Sequence, residues 1–238
     1  MITDPSERAR RVQTMFSRIT RRYDLMNRVM TGGRDRAWRR LAADELQLSA
    51  HDLCLDLATG TADLALAVRE RYPDSRVIGA DFSETILRAG AAKAKARSIT
   101  ALEFAVGDAL SLSFPDATFD GIINGFLLRN AVDLPRCLRE KRRVCKPGAR
   151  VVCLEITQPQ TPVFKQLFAF YFNRIVPLIG GVISGDFGAY KYLPQSLAAF
   201  LPAEPLRQAM LKAGYRDVRY RLLGLGTIVV ALRIFRWN

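Results

Sequence analysis

A chain of 238 residues is long enough to bury one full α/β core and too short for two. With 49% apolar and 25% charged residues it falls among globular proteins, which excludes disordered, fibrous and disulfide-scaffold classes. Lys and Arg outnumber Asp and Glu by 36 to 23, a net charge of +13 that attracts nucleic acid or anionic lipid headgroups without choosing between them.

The basic excess is dispersed. Residues 1–50 hold eleven Arg and six acids, 129–150 eight bases and two acids, and 206–238 seven bases and one acid. The four cysteines lie at least eight residues apart, and His51 is the single histidine, so neither a disulfide framework nor a metal site is expected. The first residues, Met-Ile-Thr-Asp-Pro-Ser-Glu, carry no apolar signal segment, and no run of eighteen apolar residues occurs. A cytoplasmic location without a membrane span is the expectation.

Taken in chain order, residues 5–22 are Arg-rich, with Val12, Met15, Phe16 and Ile19 spaced for a narrow amphipathic stripe. A break at Thr31-Gly32-Gly33 precedes a helix expected over 35–45. Strands are predicted at 53–58, 76–80, 101–106, 119–125 and 149–156, with helices at about 61–72, 83–97 and 133–145. This alternation calls for a parallel sheet covered on both faces, with the post-strand turns along one edge. After the linker 157–162, the Phe-, Ile-, Leu- and Val-rich stretch 163–183 reads as a pair of apolar helices. Lys165, Arg174, Pro177 and Gly180-Gly181 interrupt it, which argues against a bilayer span. A helix at 203–214 and two strands, 216–222 and 227–235, joined at Leu223-Gly224-Leu225-Gly226, predict an antiparallel hairpin at one edge. The whole reads as one domain, 1–238, with an N-terminal helical cap at about 5–48 and an apolar helical insertion at about 160–200.

The turn after the first strand carries the chemistry. Leu55-Asp56-Leu57-Ala58-Thr59-Gly60-Thr61-Ala62-Asp63 passes from apolar strand to helix, and Asp81 ends the next strand twenty-five residues after Asp56. A small-residue turn followed by an acid at a strand tip suits a nucleoside, with the acid accepting from ribose hydroxyls. A dinucleotide fingerprint needs three glycines to hold a pyrophosphate, and only Gly60 is present. That favours S-adenosylmethionine, which has no phosphate, as the ligand. The plain alternative is an ordinary strand–turn–helix. Thr61 offers a hydroxyl and an amide to the amino-acid part of that ligand, and the carboxylate in Gly107-Asp108-Ala109 can accept from adenine. Gly125 ends the fourth strand, ahead of Phe126-Leu127-Leu128-Arg129-Asn130. A sulfonium is already activated, so transfer needs a well-placed nucleophile and exclusion of water, with no metal. Arg129 can stabilise a phenolate and Asn130 can bond a ring oxygen. Their structural alternatives are a surface salt bridge and a helix N-cap.

Several stretches resemble a known family. Tyr23-Asp24-Leu25-Met26-Asn27 with Trp38 resembles the N-terminal signature of the ubiquinone/menaquinone C-methyltransferases of UbiE type. Arg143-Val144-Cys145-Lys146-Pro147-Gly148-Ala149 with Glu155 resembles the second signature. Phe126–Asn130 is similar to the family's F-G-L-R-N, and Tyr190-Lys191-Tyr192-Leu193 with Ser196 to its Y-x-Y-L-x-x-S. The resemblance implies a class I S-adenosylmethionine-dependent methyltransferase, Rossmann-like, with a mostly parallel seven-stranded sheet and an antiparallel edge hairpin. It implies a prenylated hydroquinone substrate, demethylmenaquinol first and a polyprenyl-benzoquinol second. Cofactor contacts would fall on Gly60, Thr61, Asp81, Asp108, Ala109 and Gly125. The ring-deprotonating pair would fall on Arg129 and Asn130, and the substrate side on Tyr23, Asn27 and Tyr192.

This sequence departs from the family at four places. Ala62 brings a methyl expected to tighten the cofactor pocket, Asp35 stands where the signature has His, Leu127 replaces Gly, and Ala149 replaces the second Gly. The apolar stretch and basic exterior suit peripheral contact with an anionic membrane, on its inner face, and a homodimer is left open. An RNA methyltransferase is the competing enzyme class, but no N-P-P-Y follows the fourth strand and no Pro-Cys pair is present, so nucleic acid is not expected as a partner. A non-catalytic quinone-binding module is a further alternative.

Overall fold

Apolar runs of five to seven residues, separated by helix-forming stretches, can satisfy their backbone and bury both faces by lining up in parallel under two layers of helices. The computed structural model describes residues 14, 20, 22–185 and 187–234, and it has this arrangement. Strands β1 (Leu53–Leu57), β2 (Arg76–Asp81), β3 (Leu102–Val106), β4 (Phe119–Gly125), β5 (Cys145–Ile156), β6 (Arg219–Leu223) and β7 (Ile228–Ile234) form one sheet in the order β3-β2-β1-β4-β5-β7-β6. The first five strands run parallel. The expected edge hairpin is present: β7 lies antiparallel between β5 and β6.

Helices α1 (22–31), α2 (Asp35–Asp44), α3 (Asp63–Arg71), α4 (Glu84–Ala96), α5 (Leu134–Val144), α6 (Pro162–Phe170), α7 (Val176–Ser184), α8 (Phe187–Ala198) and α9 (Ala203–Lys212) complete the described chain. Strand β5 begins at Cys145, four residues earlier than expected. Lys146-Pro147-Gly148 reads as a breaker, yet Phe119 pairs with Cys145 and pairing resumes at Gly121 and Arg150 beyond an irregularity. Most of the predicted 5–22 helix lies outside the described residues.

Side chains alternate across the sheet as strand geometry requires. Leu55, Ile122, Val151 and Cys153 face α5 and α9 in one core layer. Cys54, Ile123, Val152 and Leu154 face α2 and α3 in the other. All four cysteines are buried and free. Helix α5 shows why its ends lie where they do. The Asp133 carboxylate caps it by accepting from the Arg136 amide at 2.9 Å, Pro135 sits in its first turn, and Lys141, Arg142 and Arg143 complement the dipole at its end.

The stretch expected as two apolar helices is α6 and α7, joined by one π-helical turn, Tyr171–Ile175. With α1 and α8 it builds a third cluster around Met26, Phe172, Val176, Tyr190 and Leu197. Gly180 makes this packing possible: a Cβ there would lie 2.2 Å from the Tyr190 ring. By length and composition alone Pro162–Ile183 could cross a membrane, although Lys165, Arg174, Pro177 and Gly180-Gly181 interrupt it. Its inner residues pack on α8, while Val163, Leu167, Phe170, Leu178 and Val182 form an exposed apolar ridge.

Candidate active site

The first turn is built around a buried acid. Asp56 ends its strand by accepting from the Thr59 hydroxyl at 2.6 Å and the Ala65 amide at 2.9 Å, which ties β1 to the first turn of α3. Between them Ala58, Gly60 and Ala62 all take left-handed backbone conformations. Only Gly60 does so without steric cost, and a Cβ there would meet nothing nearer than Ile86 at 3.9 Å, so the backbone is open to a ligand. Ala62 does not narrow the cofactor pocket as expected. Its methyl is fully buried against Gly90 of α4.

Burial pushes the Asp56 carboxyl up to about 7, against the Thr59 and Ala65 hydrogen bonds that favour its charged form. The folded chain thus holds a proton that the unfolded chain releases near the ordinary 3.8. This group's stabilisation is complete below that value and is lost as pH rises through 7. Asp56→Asn removes the titration, so its stability relative to the parent should improve between pH 4 and pH 8, by roughly 1.4 kcal/mol per pKa unit. Urea unfolding across that range checks it; a constant difference would show that Asp56 does not titrate there.

Past the turn, the carboxyl ends of β1, β2, β3 and β4 enclose a crevice of about 220 Å³ that adjoins a recess of about 60 Å³. It opens where the strand order reverses between β1 and β4, the place such sheets bind ligands. Asp81 lines both spaces together with Ala58, Phe82, Leu127 and Asn130. Its two oxygens accept from the Gly60 and Ser83 amides, each at 3.0 Å, and lone pairs remain for a further donor. Burial raises its pKa, and these amides oppose the rise. Asp108 and Ala109 line the crevice, with Asp108 accepting from the Leu110 amide at 2.9 Å. Gly60 and Gly125 line the recess. A crevice lined by two acidic side chains and no basic one fits a phosphate-free nucleoside cation.

Thr61 is placed differently from the other cofactor candidates. It is buried, and its hydroxyl donates to Asp24 of α1 at 2.6 Å. Asp24 also pairs with Lys93, Lys93 with Asp63, Asp63 with Arg39, and Arg39 with Asp35. This chain of charges fastens α1 and α2 to the turn and to α4. Arg39 and Lys93 outweigh the burial of Asp63 and hold its pKa below the ordinary value.

A larger cavity of about 250 Å³ lies beside the crevice. Its walls are mostly aromatic and apolar: Trp38, Phe126, Phe168, Tyr171, Phe172 and Tyr190. Tyr23, Asn27, Arg129, Asn130 and Tyr192 all reach it, so the structure brings together every candidate for the substrate side and for catalysis. Tyr23, Phe126 and Asn130 line both this cavity and the recess.

Arg129 makes a buried ion pair with Glu155, in place of the surface bridge weighed from sequence, and also donates to the Phe126 carbonyl at 3.1 Å. Its Nε is buried without a partner. Asn130 caps no helix, since Asp133 does that. Its amide nitrogen donates to the Phe126 carbonyl at 3.0 Å and its oxygen accepts from the Tyr192 hydroxyl at 3.1 Å. Burial pushes the Tyr23 phenol above its usual range against the nearby Arg129 charge and a bond with Asn27, so it stays a neutral hydroxyl.

Sequence reasoning did not single out Phe82, Tyr171, Phe172 or Asp24. The aromatics of 168–172 carry a legible helical spacing, but the Asp24–Thr61 bond joins residues 37 apart and leaves no local trace.

Solved structures share the fold at low identity. A SAM-dependent methyltransferase from Aquifex aeolicus matches at TM-score 0.59 and 15% identity over 83% of this chain and 89% of its own. The [4+2]-cyclase SpnF matches at 0.65 and 15% over 95% and 96%, so fold alone does not fix the reaction. Sequence relatives are much closer. Demethylmenaquinone methyltransferase of Thermus thermophilus is 45% identical across 91% of this chain and 97% of its own length. That of Roseiflexus sp. is 42% identical over 99% and 98%. The ubiquinone/menaquinone biosynthesis C-methyltransferase UbiE of Geobacter sulfurreducens is 40% identical over 94% and 88%. The ubiE/COQ5 methyltransferase family model matches residues 4–234, and with relatives this similar along nearly the whole length the chain belongs to that methyltransferase family.

Proposed function

We propose that this chain, as one methyltransferase domain, C-methylates a prenylated hydroquinone in quinone biosynthesis, demethylmenaquinol before a polyprenyl-benzoquinol. The names of its relatives support the class of substrate. The observation that carries the reading is the shared wall: an aromatic cavity and a nucleoside-type crevice meet at Tyr23, Phe126 and Asn130.

S-adenosylmethionine, when bound, supplies a methyl group already activated on a sulfonium. Asp81 binds ribose hydroxyls, Asp108 and Ala109 receive adenine, and Gly60 and Gly125 leave room along the backbone. Thr61 serves by its amide, its hydroxyl being committed to Asp24. On the substrate side, the aromatic walls exclude water and hold the ring flat, while Arg129 offers its unpaired Nε to a ring oxygen and favours the phenolate. Tyr192 holds the Asn130 amide in place through its hydroxyl, and Tyr23 and Asn27 close the cavity.

A prenyl tail needs an apolar exit, and the ridge on α6 and α7 borders this cavity through Phe168, Tyr171 and Phe172. With Lys165 on α6 and Arg174 in the π-helical turn beside it, this ridge rests on the inner face of an anionic membrane. Leu167→Asp/Phe170→Asp should reduce co-sedimentation with phosphatidylglycerol vesicles several-fold. Undiminished binding would move the contact elsewhere.

The activity is tested by incubating the protein with labelled S-adenosylmethionine and, in parallel, reduced demethylmenaquinone, benzoquinol analogues and bulk RNA. Label is expected on the quinol ring. Label on RNA, or cofactor binding without transfer to any quinol, overturns the reading.

A further inference from the structure

A separate hollow of about 210 Å³ is formed by helices α1 to α4. Asp35 and Trp38 of α2 face the aromatic cavity, whereas Arg36 and Arg40 of the same helix face this one. Arg28 of α1, Arg39 of α2 and Arg97 at the end of α4 complete a ring of five guanidinium groups. Two carboxylates, Asp63 and Glu70, share the lining, which leaves a formal charge of five minus two, or +3.

Those carboxylates are already engaged. Asp63 takes Lys93 at 2.7 Å and Arg39 at 3.7 Å, and Glu70 lies 3.6 Å from Arg97. Arg28, Arg36 and Arg40 have no carboxylate partner among the described residues. Like charges that only kept the chain in solution would be favoured apart. Gathered in a concave, polar space they focus a positive field, and the planar fork of each guanidinium matches two oxygens of a phosphate. Arg28, Arg36, Arg40 and Arg97 have no part in the methyl-transfer reading.

We propose that this hollow is a binding site for a phosphate-type oxyanion, a mono- or diphosphate group borne by a soluble anion or by a lipid headgroup. The proposal is independent of the substrate assigned above. Arg39 also holds Asp35 of the aromatic cavity, so the bound anion lies one side chain from the substrate site.

Calorimetric titration of the full chain with inorganic pyrophosphate at 150 mM salt tests it, alongside flotation with phosphatidylglycerol and phosphatidylcholine vesicles. Two variants remove equal charge: Arg36→Ala/Arg40→Ala in the hollow, and Arg219→Ala/Arg221→Ala on exposed β6. One saturable pyrophosphate site, weakened at least 10-fold only by the first pair, establishes a soluble-anion site. Phosphatidylglycerol retention lost only in the first pair establishes a headgroup site. Equal effects of the two pairs, or neither form of binding in the parent, overturns the proposal. Circular dichroism of each variant separates loss of binding from loss of fold.

Discussion

Asp81→Asn should weaken S-adenosylmethionine binding by roughly 100-fold, and Asp81→Ala by more. In the parent, a buried carboxylate holds the Gly60 and Ser83 amides and keeps further lone pairs turned to the crevice. Hydrogen bonds to a charged group contribute about 1.5–3 kcal/mol each and neutral ones about 0.5–1.5, so losing the charge from two of them costs about 2–3 kcal/mol, close to two powers of ten in affinity. Asparagine still accepts from one backbone amide, which protects the turn, whereas alanine leaves two buried amides unpaired and costs stability as well. Calorimetric titration with S-adenosylmethionine, with thermal unfolding alongside, separates the two effects. Parental affinity in Asp81→Asn would remove the ribose role from this residue.

Arg129→Ala should be damaged twice. Glu155 is 0% exposed, and stripping its partner strands a charge in the core at a cost of about 3–5 kcal/mol. Turnover should also fall, because the donor offered to the ring oxygen is gone. The single variant cannot assign the loss, but a double one can. Arg129→Met/Glu155→Gln removes both charges and keeps one amide oxygen to accept from one of the two backbone amides, Arg129 or Ile156, that Glu155 now serves. It should recover most of the stability and bind S-adenosylmethionine like the parent, while kcat stays at least 100-fold down. Recovery of turnover together with stability would make Arg129 a structural residue.

What the sequence exposed and what it hid follow from range. The β1–turn–α3 unit and the acid ending β2 are local patterns, and each stands where hydropathy and turn chemistry placed it. The edge hairpin was legible from two short strands around Gly224 and Gly226. The start of β5 was not, because Pro147 and Gly148 look like a stop while the neighbouring β4 restores pairing across them. Phe126–Asn130 was readable as a candidate string, yet the Arg129–Glu155 pair spans 26 residues, and only the fold shows that this cation has a buried partner. The same holds for the five arginines of the hollow, drawn from two helices and the end of a third.

The wall formed by Tyr23, Phe126 and Asn130 has a kinetic consequence. A partition one side chain thick has no finished surface on either side until a neighbour presses against it. Whichever reactant enters first therefore shapes the seat of the second, and each departing product loosens the seat of the other. Initial rates measured against both reactants should give intersecting reciprocal lines, the signature of a sequential ternary complex.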